Sequence, residues 1–382
     1  MTFDVEQLRK EEFPWAAAGE SIYLNTASTG PLPRRAVRAV AEFTERRAAP
    51  HRLSDELQFA TLARSRELVA KLIRAKPGEI SLATNTTFGV NVAATSLPLK
   101  KGDVVLGVAH EFPANIYPWM SAAKLRGFEF RLLPVHKGIP SQQQLLDEIA
   151  KPGVKVVAIS WVEFASGYTF DLAAVGRACR KHGVTFFVDA IQGLGPRTLD
   201  VNECCIDILS CGAQKWLLSP WGTGFLFVRG DLIRSLEPVF PSWMGVRGSD
   251  DFSRLVEYDM TWRDDARRFE FITLPFQEFA GLNASLDLFF QLGPDAIARY
   301  TESLATHVVD WAKARGIETV TPPDKTHRAG IVALRVPNGA AASARLRENL
   351  VIHSFREGAI RLAPYFFNTE SEIGRALSLL TA

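Results

Sequence analysis

TFFVDAIQGLGPRTLDVNECCIDILSCGAQKWLLSPWGTGFLFVRG, residues 185–230, decides the fold. It holds three short apolar runs: TFFVD (185–189), DILSC (207–211) and GFLFVR (224–229). The runs are nearly continuous rather than alternating, which is how strands covered on both faces read. Upstream the same signature recurs in EISLAT (79–84), DVVLGVA (103–109), FEFRLLPV (128–135) and KVVAISWV (155–162). Between them lie helical stretches: Ser141–Ala150 after Pro140, and Leu172–His182 closed by Gly183 as a C-terminal stop. Strand–helix–strand order predicts an α/β architecture, a mainly parallel sheet with helices on both faces. The close spacing of 207–211 and 224–229 predicts a local antiparallel pair.

Beyond about Gly281 the pattern loosens. A long helical stretch, Leu282–Leu304, precedes AGIVALRV (329–336), a helix over Ala340–Glu348, NLVIHSF (349–355) and AIRLAP (359–364). This reads as a smaller α+β domain. The division expected is a large domain over 21–285 and a small C-terminal domain over 286–382, with residues 1–20 packed on the latter.

Composition narrows the function classes. The chain has 382 residues, enough for a sizeable core without disulfides. Apolar residues make 47% and charged residues 23%, which excludes a disordered chain. A net charge of +2 argues against a protein built to hold nucleic acid or an anionic membrane. No apolar run is long enough to span a bilayer, and the acidic N-terminus is unlike a signal peptide. Four cysteines without CxxC spacing point to a reducing compartment, and a cytoplasmic protein is the expectation. GxGxxG, a phosphate loop of the GxxxxGK type and HExxH are all missing, so neither dinucleotide nor metal binding is legible.

The remaining chemistry lies at strand ends. Asp189 closes one buried strand and Lys215 follows the next, and open α/β sheets bind ligands at the carboxyl ends of their strands. A lysine amine and a carboxylate in one crevice suit pyridoxal phosphate. The amine forms a Schiff base, and the carboxylate keeps the pyridine nitrogen protonated.

From Tyr23-Leu24-Asn25-Thr26-Ala27 to Tyr365-Phe366-Phe367-Asn368-Thr369 the chain resembles the class V aminotransferases, fold-type I pyridoxal phosphate enzymes. That group includes cysteine desulfurases, isopenicillin N epimerases and kynureninases. The resemblance implies Lys215 as the Schiff-base lysine and Asp189 as the pyridinium partner. It implies Gln192 beside the phenolic oxygen, and Gln214, Thr86 and Thr87 around the phosphate, the threonines at a helix N-terminus that favours anions. Phe112 takes the place of the ring stacked on the cofactor, followed by Pro113 as in kynureninases, and Asn115 stands where those carry aspartate. Thr273 corresponds to the position that reaches the phosphate of the neighbouring subunit in a homodimer, although Ile272 replaces the usual glycine before it. Arg361 corresponds to the clamp on the substrate α-carboxylate, with Ala27 beside the substrate.

Departures from the pattern bear on the reaction. Cys179, Cys204, Cys205 and Cys211 all precede Gly212, so the C-terminal loop cysteine of a desulfurase is missing. Phe112 removes an acid–base imidazole, and Phe164 stands in EFASG where many relatives have asparagine. The expectation is an enzyme acting at Cα of a small amino acid, by transamination or epimerisation first and C–S or C–C lysis second. Persulfide-forming desulfuration ranks last, and a non-catalytic scaffold is the reading from another class.

Overall fold

The structure is a computed structural model, and it describes residues 3–381. Seven strands form the main sheet: β1 Ile80–Ala83, β2 Val104–Val108, β3 Glu129–Leu133, β4 Val154–Ser160, β5 Thr185–Asp189, β6 Ile208–Gly212 and β7 Gly224–Val228. Their order across the sheet is β1-β7-β6-β5-β4-β2-β3. Neighbours from β6 to β3 pair parallel, and β7 runs antiparallel to both β6 and β1. All seven predicted runs are therefore strands, and the pairing of DILSC with GFLFVR is antiparallel as read. Six of the seven strands point the same way, so their carboxyl ends share one edge.

Alternate residues along each strand enter different cores. Phe186 and Val188 join Val69, Leu145, Val175 and Leu282 on one face, under helices Asp55–Ile73, Gln142–Ile149, Leu172–His182 and Phe276–Leu292. Phe187 joins Val90, Ala93, Trp119 and Ala122 on the other, under Thr86–Ser96 and Tyr117–Arg126. Burying these side chains removes apolar surface worth about 25 cal/mol per Å² from water. Asp189 has the parity of Phe187, so its carboxyl opens toward helix Thr86–Ser96.

A second sheet comprises β8 Glu318–Thr319, β9 Val332–Arg335, β10 Ser354–Arg356 and β11 Ala359–Leu362, in the order β8-β9-β11-β10 and antiparallel throughout. Its core includes Leu304, Val308, Leu334, Ile360 and Ile373. The expected helix Leu282–Leu304 is two helices, Phe276–Leu292 and Pro294–Ala314, separated at Gly293, whose φ of 87° breaks the first. The expected single run 349–355 is two short strands with different partners. Val351–Ile352 pairs parallel with Ile22–Tyr23, whereas β10 pairs with β11. The N-terminal segment docks on C-terminal residues: the Arg9 guanidinium donates to the Phe367 carbonyl at 2.7 Å and meets Glu372 at 2.8 Å.

Candidate active site

The carboxyl edge of the main sheet carries the polar residues. Helix Thr86–Ser96 starts directly after β1, capped by Asn85, whose side chain accepts from the Phe88 amide at 2.9 Å. The first-turn amides of Thr86 and Thr87 have no partner within the helix, which makes this end a ready anion site. The Thr86 hydroxyl accepts from the Gly212 amide at 2.8 Å, and the Ser210 hydroxyl donates to the Thr86 carbonyl at 2.8 Å. These two bonds fix the helix end to the end of β6. Gly212 is glycine because of crowding: a Cβ there would lie 2.5 Å from Gln214 Oε1 and 3.1 Å from Thr86 Oγ1. Gln214 and Thr86 thus close on one small cradle, with Thr87 exposed at its mouth.

Asp189 is buried, and its carboxylate accepts from the Ile191 amide at 3.0 Å. Burial raises it to about 6, opposed by that hydrogen bond and by Lys215. Lys215 is lowered to about 8 by burial; Asp189 opposes the shift, and Arg361 adds to it. The Lys215 Nζ lies 5.5 Å from the centroid of the Phe112 ring, which is 44% exposed and stands like a shutter over the amine. Gln192 is held at both ends. Its amide donates to the Ala27 carbonyl at 3.0 Å and accepts from the Trp216 indole at 2.8 Å. One amide hydrogen remains free to meet an oxygen in the slot.

Arg361, on β11, is only 2% exposed. Its guanidinium donates to the Phe164 carbonyl at 2.6 Å and to the Ser28 hydroxyl at 2.8 Å, and among the described residues it forms no ion pair with a carboxylate. Burial lowers it to about 10, with Arg356 contributing. A guanidinium buried with an unfilled fork is a receptor for a planar anion.

Of the residues singled out from sequence, Lys215, Asp189, Gln192, Gln214, Thr86, Phe112, Ala27 and Arg361 converge on this slot. Asn115 is buried at the end of the short 3₁₀ turn Pro113–Asn115 that follows Phe112, and its amide has no hydrogen-bond partner. Thr273 is exposed on the segment leading to helix Phe276–Leu292 and makes no hydrogen bond to the others.

Three further residues belong to the neighbourhood. Ser28, one position past Ala27, orients Arg361 and donates to Asn25. Glu111 accepts from the Ser160 amide at 2.6 Å and from the Ser160 hydroxyl, and burial raises it to about 7. Glu163 is 4% exposed, and its Oε1 has no partner. Burial first, and then the nearby Glu111 and Asp189, hold it well above the usual carboxylate range. Glu111 is the residue before Phe112, and Glu163 the residue before Phe164. A glutamate at the end of an apolar run is the only signal the sequence offers for them.

The family model for class-V aminotransferases matches residues 22–351. The chain belongs to that family. Its members are pyridoxal phosphate enzymes of fold type I. An isopenicillin N epimerase of Streptomyces clavuligerus is 30% identical over 94% of both chains. A probable cysteine desulfurase of Aeropyrum pernix is 29% identical over 85% of this chain and 81% of its own. Among solved structures, the apo cysteine desulfurase of Thermococcus onnurineus superposes with a TM-score of 0.88 over 99% of this chain and 98% of its own, at 21% identity. A cystine C–S lyase bound to cysteine persulfide superposes at 0.86, with 22% identity, over 96% and 98%. At these identities the superpositions speak for the fold.

The residues of this class V enzyme fit the cofactor. The cradle at Gly212 sits at a helix N-terminus, where phosphate binds. The buried Asp189, with Lys215 as its nearby cation, is a carboxylate of the kind that suits a protonated ring nitrogen. The Phe112 ring, 5.5 Å from the Lys215 amine, is an aromatic face of the kind that suits a flat cofactor ring. Each feature is a property of this chain's own geometry.

Proposed function

We propose that the enzyme uses pyridoxal phosphate, held by Lys215, Asp189, Gln192, Gln214, Thr86 and Thr87, to rearrange bonds at Cα of an amino acid. The observation that carries this reading is the buried Arg361 fork, empty of any carboxylate, opening on the same slot as Lys215. When bound, the cofactor supplies an aldehyde that captures amines and a cationic ring that draws electrons from Cα. Everything else falls to the protein. Arg361, braced by Ser28 and the Phe164 carbonyl, grips the α-carboxylate through two parallel hydrogen bonds. That grip sets which bond of Cα faces Lys215. With its amine lowered to about 8, Lys215 is neutral in useful fraction near neutral pH and can take or return the Cα proton. Asp189 holds a proton on the ring nitrogen, and Phe112 shuts water out from above.

Transamination or epimerisation heads the list; Lys215 alone can move the proton that transamination requires, and Phe112 offers no second acid–base group. Elimination at a C–S or C–C bond is the second reading, favoured by the position of the thiols. None occupies a loop above Lys215, and elimination requires none. In the homodimer that we propose, the exposed Thr273 is free to approach the partner's phosphate site. The test is a panel of amino acids added to holoenzyme. Changes in absorbance, keto-acid release, sulfide release and loss of optical rotation separate the outcomes. A protein that stays colourless with added cofactor, and in which borohydride fixes nothing on Lys215, would sink the proposal.

A further inference from the structure

Next to the slot, between the loops of the main sheet and the β10–β11 hairpin, lies a second cleft of about 590 Å³. Its lining includes Lys137, Glu163, Phe164, Arg335, Arg356 and Ala359. The cleft adjoins the slot at Phe164. That ring packs edge-on against Phe112 at 5.4 Å, and its carbonyl holds Arg361. A side chain leaving a Cα anchored by Arg361 can therefore turn past Phe164 toward this cleft.

The charges of the cleft are unevenly satisfied. Arg335 is occupied by Glu318 at 2.7 Å. Arg356 and Lys137 make no ion pair among the described residues, although both line the cleft. Arg356 acts electrically on both Arg361 and Lys215, so its field reaches the slot. At the floor stands Glu163, buried, with an unpartnered Oε1.

We infer that this cleft receives the substrate's side chain and selects amino acids whose side chain ends in an anion, a carboxylate foremost, which meets Arg356 and Lys137 while the Glu163 carboxyl donates to it. The inference deepens the proposed function and rests on it. Glu163 can donate in its neutral form. Burial and two neighbouring carboxylates favour the neutral acid, and a neutral carboxylic acid in an apolar site is a hydrogen-bond donor. An ionised Glu163 would instead call for a cationic side chain, so the two protonation states predict opposite preferences. Glu357, on the turn after β10 and exposed like Arg356 and Lys137, also lines the cleft, as does the buried Glu111; these are the further carboxyl groups an anion would meet.

The experiment compares holoenzyme with glutamate, 2-aminoadipate, glutamine, norleucine and lysine, reading the absorbance change and KM. Calorimetry with glutarate, which has no amine, gives a second readout independent of turnover. The expected result is tighter binding of the two acidic amino acids than of glutamine and norleucine, with lysine weakest. In Arg356→Gln, KM for the acidic pair should rise about tenfold to a hundredfold, the loss expected for one charge-assisted hydrogen bond. KM for norleucine should move less than about twofold, and glutarate should weaken in parallel with the acids. Lys137→Gln should act in the same direction, and Glu357→Gln should tighten the acids. A preference for lysine, or an Arg356→Gln variant that penalises neutral and acidic amino acids equally, overturns the inference. If neutral amino acids still perturb the spectrum in that case, the proposed function stands without it. If no amino acid does, the proposed function itself has failed.

Discussion

At the scale of single residues, burial sets the protonation of the candidate site. Lys215 lies near 8 instead of 10.5, so its uptake of added cofactor into the apo-protein should accelerate through pH 8. A rate that climbs only near pH 10 would place Lys215 in water. Lys215→Ala should lose the near-visible absorbance and at least a hundredfold of turnover, the usual scale of a missing acid–base group. Arg361→Lys keeps the charge and loses the fork; substrate affinity should fall more than cofactor affinity. The opposite order would move Arg361 to the phosphate side. Glu111 makes a thermodynamic prediction for the apo-protein. Its carboxyl rises from 4.5 to about 7, so below pH 4.5 both folded and unfolded states hold the proton. Between 4.5 and 7 the unfolded chain ionises first and stability falls; above 7 the cost is constant. Glu111→Gln should therefore gain stability over wild type as pH rises through that window, by on the order of 3 kcal/mol at pH 7 and above. A pH-independent difference in denaturant titrations would contradict this.

At the scale of elements, the strands were legible because each is buried on both faces, and continuous apolar runs betray that. Legibility stopped where tertiary contacts decide. Gly293-Pro294 divides two helices whose apolar spacing runs on across the break. Residues 349–355 divide into two strands because each half has a different neighbour. Lys215, Asp189 and Arg361 could be found from motif order, whereas Glu111 and Glu163 could not. A glutamate beside a phenylalanine looks like any loop residue until the fold buries it. The cysteines gain meaning from strand direction. Cys204 and Cys205 precede β6, and Lys215 follows it, so they lie at opposite edges of the sheet, about 17 Å apart for five strand residues. Cys211 points to the core face away from Asp189, among Val188 and Phe225. Holoenzyme given cysteine should carry no stable persulfide, and mass mapping of one on Cys204 or Cys205, with activity lost on its mutation, would restore the desulfurase reading. The turn at Thr29-Gly30 is a further element-scale test. The Gly30 amide donates to the Gln214 carbonyl at 2.9 Å, and a Cβ on Gly30 would lie 1.9 Å from the Lys215 carbonyl. Gly30→Ala should displace the lysine turn, and activity should fall further than the melting temperature suggests.

At the scale of the whole molecule, the slot is assembled from both ends of the chain. Ser28 and Arg361 meet across 333 residues, and Ile22–Tyr23 is zipped to Val351–Ile352. The lysine turn leans on the same late segment, because Trp216, next to Lys215, packs edge-on against Tyr365 at 5.0 Å, and helix Phe276–Leu292 roofs one face of the main sheet. Clipping the chain before β11 therefore removes the substrate's anchor and the lysine's backing together, so a shortened chain should forfeit both loading and turnover.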